Sequence, residues 1–85
     1  MNQGQIEQVV ASLVSMGIKC PIDTVDGNPE NYDGQCVFFR PWDGELRAVQ
    51  VHSDGTFEAY SCDYDREAYG DTADEAIRRL LSERF

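Results

Sequence analysis

Three cysteines, one histidine and sixteen carboxylates are the groups on which chemistry could rest in this 85-residue chain. Nucleophilic catalysis needs a base within hydrogen-bond reach of the nucleophile and a third group to hold that base. Only His52 paired with Cys36 or Cys62 offers such a start. The strand register argued below sets His52 at a turn, across from Thr56 and far along the strand from Cys62, so His52 reads as an exposed turn residue. Cys20, Cys36 and Cys62 form no C-x-x-C pair, and His52 stands at no zinc-finger spacing. They read as reduced, partly buried thiols acting as small apolar side chains. Asp63-x-Asp65-x-Glu67 has the alternating oxygens that open a calcium loop, and Asp74 falls at the twelfth position. Ala68 stands where that loop needs glycine, and no helix precedes Asp63. No phosphate-cradling glycine loop is present. A non-catalytic chain without metal or cofactor is expected.

The carboxylates matter more as a field than as reagents. Against seven Lys and Arg they give a formal charge of −9. They cluster in two places. Residues 54–75 hold eight acids, offset there only by Arg66, and Asp23, Asp26, Glu30 and Asp33 form a second group without a base. Such a field repels nucleic acid and anionic membrane and attracts basic proteins. Direct nucleic-acid binding depends on Lys and Arg releasing counterions, and this surface has the opposite sign. Aromatic residues are interleaved with the acids: Tyr32 with Asp33, Trp42 with Asp43, Tyr64 with Asp63 and Asp65, Tyr69 with Glu67. Carboxylates spaced along an exposed surface imitate a phosphate backbone, and aromatic anchors sharpen the contact. The expected partner is a protein with a basic surface, and the expected contact residues are Asp63, Asp65, Glu67 and Asp71, with Tyr64, Tyr69 and Trp42 as anchors. No apolar run reaches membrane-spanning length and the N-terminus has no signal-peptide pattern, so a cytoplasmic protein is expected.

The elements that must position these residues follow from periodicity. Ile6, Val9, Val10, Leu13 and Met16 mark an amphipathic helix, ended by Gly17. Ile18–Ile22 reads as a short edge segment and 23–34 as a long loop. Three strands follow, Cys36–Arg40, Glu45–His52 and Thr56–Cys62. Ser53-Asp54-Gly55 reads as a three-residue hairpin loop with a left-handed Gly55. That loop sets Val51 opposite Phe57 and Val49 opposite Ala59, which buries more than the alternative register. Trp42-Asp43-Gly44 turns likewise and places Val37 beside Val49 and Phe38 beside Ala48. Thr72-Ala73-Asp74-Glu75 is a capping box opening a second helix, lined by Ala73, Ala76, Ile77, Leu80 and Leu81.

The order is α-β-β-β-α. One domain over 1–85 is expected, of the α+β class: a two-layer fold with a three-stranded antiparallel sheet and both helices packed on the face of Val37, Val49, Val51, Phe57 and Ala59. The other face then carries Phe38, Leu46, Ala48 and Tyr60, with Gln50 and Glu58 between them. Such an apolar face is either a contact surface for a protein or for a second copy of the chain, through Phe38 and Tyr60, or a face covered by loop 23–34, with Tyr32, or by the 63–71 segment, with Tyr64 and Tyr69.

Two resemblances bear on this reading. Gly55-Thr56-Phe57-Glu58-Ala59-Tyr60 followed by Gly70-Asp71-Thr72-Ala73-Asp74-Glu75-Ala76-Ile77 resembles the hairpin and helix start of HicB-like antitoxin domains. Ser61-Cys62-Asp63-Tyr64-Asp65 stands where that family has a Pro-Asp-Leu-Pro-Gly-Cys stretch. The resemblance implies an antitoxin-like or regulatory domain that binds a cognate protein or itself through its open sheet face. In size and acidity the chain also resembles phage-encoded anti-defence inhibitors such as anti-CRISPR proteins. That likeness implies an inhibitor occupying the basic surface of a nucleic-acid-handling protein.

Overall fold

The computed structural model describes residues 2–18, 24–25, 36–42, 44–61 and 66–82. Helix α1 (Gln3–Ser15) starts at a capping box: the Asn2 side chain accepts from Gln5 N–H, and the Gln5 side chain accepts from Asn2 N–H. It ends as its glycine demands. Gly17 has φ +77°, and the Gly17 and Ile18 amides close onto Val14 and Leu13 carbonyls in a Schellman arrangement.

The sheet is larger than expected. Five antiparallel strands run in sequence order, β1 (Thr24–Val25), β2 (Cys36–Phe39), β3 (Arg47–Val51), β4 (Phe57–Ser61) and β5 (Glu67–Gly70). The α+β class with two helices and an antiparallel sheet holds, but the expected three-stranded sheet is corrected. β1 is a two-residue edge inside what reads as a loop. β5 lies in the stretch read as acidic loop, where alternation of Ala68 and Gly70 with Glu67 and Tyr69 is too short a pattern to stand out. The central registers are as expected: Val37↔Val49, Phe38↔Ala48, Val49↔Ala59 and Val51↔Phe57. The β3–β4 hairpin closes at His52 and Thr56 with Gly55 at φ +91°. Asp54 accepts from the Thr56 amide, and that bond holds its carboxyl below the usual range.

Both helices contribute to one core with the sheet. Val9 and Leu13 of α1 and Ala73, Ala76, Ile77, Leu80 and Leu81 of α2 (Ala73–Ser82) pack with Val37, Phe39, Val49, Phe57, Ala59 and Ala68. Thr72 caps α2 through the Glu75 amide, whereas the Glu75 carboxylate reaches the Asp71 amide, one residue before the expected target. Two polar ties fix α1 against the start of α2. Ser12 Oγ donates to Asp74, and the Gln8 side chain accepts from Ala73 N–H. Asp74 is thus a helix-terminal anchor, further paired with Arg78 at 2.7 Å, and both bonds lower its pKa. At the other side of α2, β5 comes so close that a Cβ on Gly70 would lie 2.8 Å from the Ala76 amide nitrogen. That glycine is required by contact rather than by backbone angle.

Candidate functional site

The face of the sheet turned away from the helices carries the site. The period of two sends Cys36 and Phe38 of β2, Ala48 and Gln50 of β3, Glu58 and Tyr60 of β4, and Glu67 and Tyr69 of β5 to that side. Of the two expectations for this face, open or covered, the burial favours the second. Cys36, Ala48, Gln50 and Glu58 are buried, and Phe38 and Tyr60 are half-buried. The Tyr60 hydroxyl and the Cys36 thiol approach to 3.6 Å.

A polar network occupies the β3–β4–β5 part of this face. Glu58, only 5% exposed, is its centre. One oxygen of its carboxylate accepts from Gln50 Nε2 at 2.6 Å and meets His52 Nε2 at 2.6 Å. With Glu58 ionised, Nε2 of His52 is the protonated nitrogen. Burial alone would raise the Glu58 pKa. Hydrogen bonds with His52 and Gln50, and the charge of His52, work against burial, joined by a bond from Glu67 when Glu67 carries the proton the two carboxyls share, and together they hold the Glu58 carboxyl below its ordinary 4.5. Tyr69 sits diagonally beyond, its ring centroid 5.7 Å from that of His52 and its hydroxyl donating to Glu67 at 3.2 Å. Desolvation, then the charges of Glu58 and Glu67, raise its phenol pKa.

His52 is therefore exposed, as expected, yet held by a buried carboxylate. The contact with Glu58 is an addition to that expectation. The signal was available: the register that pairs Gln50 with Glu58 also places His52 two residues along the same face.

The predicted contact residues separate. Glu67 and Tyr69 are neighbours on the outer face of β5, Tyr69 with 43% exposure, and Asp71 follows them at the strand end, also exposed. Glu67 and Tyr69 thus belong to a strand rather than a loop. Asp63, Tyr64 and Asp65 lie outside the described residues. Trp42 is the most exposed large apolar side chain among the described residues, at 65%, but it belongs elsewhere. It walls a groove of about 460 Å³ with Met16, Arg78, Leu81 and Ser82, at the helix layer rather than beside Tyr69.

Among the described residues no group of three His, Cys, Asp or Glu side chains is arranged to hold a metal ion. No helix among them is long and apolar enough to cross a membrane. The helix acids are taken up locally: Asp74 by Arg78 and Glu75 by Arg79. What distinguishes β5 is that Glu67 and Tyr69 stand together on its outer face beside Glu58, with exposed Asp71 following the strand end. No family model matches the chain, and no match was found among curated proteins or solved structures.

Proposed function

We propose that this chain is a non-catalytic binding protein, an inhibitor in the manner of phage anti-defence proteins, that holds a basic, nucleic-acid-handling protein partner through the acidic, aromatic-bearing surface of β5. The observation that carries this reading is the pairing of exposed Glu67 and Tyr69 on the outer face of β5, with Asp71 following and the buried carboxylate of Glu58 behind. A guanidinium or ammonium group arriving there meets carboxylate oxygens and a tyrosine ring together, the combination that gives both steering and an anchored contact. The reading extends to Asp63, Tyr64 and Asp65 by sequence, because they join β4 to β5. Trp42, on a different surface, drops from the primary contact set.

The test is capture of a partner at low and high ionic strength with wild type and with Asp63, Asp65 and Glu67 changed together to Lys. Wild-type binding should weaken steeply with salt, since exposed charges are screened over roughly 8 Å at physiological ionic strength. The triple variant should keep its fold and lose the partner. Unchanged affinity of the triple variant at low salt would remove the assignment. The reading through an open apolar sheet face predicts instead that Phe38→Ala and Tyr60→Ala matter more than any charge. Phe38 and Tyr60 are half-buried whereas Glu67 and Tyr69 are exposed, which supports the β5 part of that face.

A further inference from the structure

His52 closes the β3–β4 hairpin and is fixed at three points. Its amide donates to the Thr56 carbonyl at 2.8 Å, and its carbonyl accepts from the Gly55 amide at 2.9 Å. Its side chain is held at Nε2, 2.6 Å from the Glu58 oxygen to which Gln50 also donates. An ionised carboxylate only accepts, so the ring nitrogen facing it carries a proton whenever Glu58 is charged. A neutral imidazole has a single N–H. With that N–H at Nε2, Nδ1 keeps a bare lone pair, and it has no hydrogen-bond partner among the described residues. The His52 side chain is 40% exposed, against 7% for that of Glu58.

Among the described residues, the titratable groups around this ring come from each neighbouring element. β4 supplies Glu58, and β5 supplies Tyr69, its ring centroid 5.7 Å away, with Glu67 bonded beyond it. The hairpin loop supplies Asp54, whose carboxyl feels the charge of His52. On the other side of β3, β2 carries Cys36 on this face. Protonating His52 leaves the Nε2–H bond to Glu58 in place and alters the free nitrogen: Nδ1 turns from acceptor to donor, and a positive charge appears among acids. The hydrogen-bond network is the same in both states. What differs is what the ring offers to a ligand.

We infer that His52 belongs to the partner-binding surface as a neutral hydrogen-bond acceptor beside Tyr69, taking a Lys or Arg N–H of the basic partner at Nδ1, and that protonation of the imidazole releases that partner. This rests on the basic-partner reading above and adds a contact residue and a regulation to it. A basic side chain meets a lone pair at Nδ1 when the ring is neutral, and a second donor with a like charge when it is protonated. Imidazole is the side chain whose ordinary charge change falls between roughly pH 5 and 8. Affinity is therefore complete above that range and falls as pH drops through it. Glu58 acts through His52 as a positioning residue, because the bond at Nε2 decides which nitrogen is offered.

His52 is the chain's single histidine, so its ring resonances report its charge without ambiguity. The test measures binding of a hexalysine peptide to the full chain at low ionic strength, by calorimetry, from about pH 5.5 to about pH 8. Proton NMR follows the His52 ring over the same range with and without peptide. The expected result is about tenfold weaker binding at the acid end, the scale of one like charge added at close contact. Saturating peptide should move the His52 titration to lower pH by the same factor, as linkage requires. His52→Gln keeps an amide donor for Glu58 and cannot titrate, so its affinity for the peptide should be level across the range. Equal wild-type affinity at both ends, a His52 titration unmoved by peptide, or the same acid loss in His52→Gln would overturn the role of His52 and leave the basic-surface reading standing. Failure of the peptide to bind at about pH 8 would remove both.

Discussion

On the helix side of the sheet, Val37, Phe39, Val49, Ala59 and Ala68 are sealed by α1 and α2. On the opposite side the equally inaccessible positions are Cys36, Ala48, Gln50 and Glu58. Shape and apolarity decide the first set, since any volume of the right kind fills it. Partners decide the second, because a buried amide and carboxylate are tolerable only when their hydrogen bonds are made. One strand can therefore serve both purposes: β4 gives Phe57 and Ala59 to the core and Glu58 to the network.

The largest expected effect comes from breaking the helix side. Phe39→Ala removes the largest fully buried side chain and should cost about 3–5 kcal/mol in denaturant unfolding. It should leave the slope of the acid limb of stability unchanged. Glu58→Ala comes next, at about 1.5–3 kcal/mol, the range for hydrogen bonds to a charged group. It differs in kind because it acts on pH dependence. Since the folded-state pKa of Glu58 lies below its ordinary 4.5, the stability it contributes is complete above that pH and is lost as pH falls through the folded value. Glu58→Gln should flatten stability over that acid window, and an unaltered acid limb would show that the network does not hold the carboxylate.

The smallest of the three is Thr72→Ala, at about 0.5–2 kcal/mol from loss of the hydroxyl bond to the Glu75 amide. It lies at the start of the α2 face against which β5 rests and sharpens the comparison by touching neither sheet face. Its pH dependence should match wild type.

What was legible in the sequence follows the same division. α2 was readable because its cap and its apolar stripe agree over one short stretch. The β3–β4 register was readable because Ser53-Asp54-Gly55 admits one favourable loop and the apolar matches select it. β5 was not, since two small residues alternating with Glu67 and Tyr69 give no apolar signal. Gly70 is small because α2 presses on it, a reason visible only in three dimensions. The Glu58 network was half legible: the register put Gln50 opposite Glu58, but nothing local announces that the pair is buried. Of the contact residues, Glu67 and Tyr69 share one face while Trp42 lies elsewhere, because the β2–β3 turn carries Trp42 toward the helix ends.

If the proposed partner contact belongs to β5 and not to the helix layer, hydrogen–deuterium exchange on the captured complex shows protection of residues 66–71 with α1 and the Trp42 groove unchanged. Protection confined to α1 or to the turn around Trp42, with β5 exchanging as in the free protein, would contradict it.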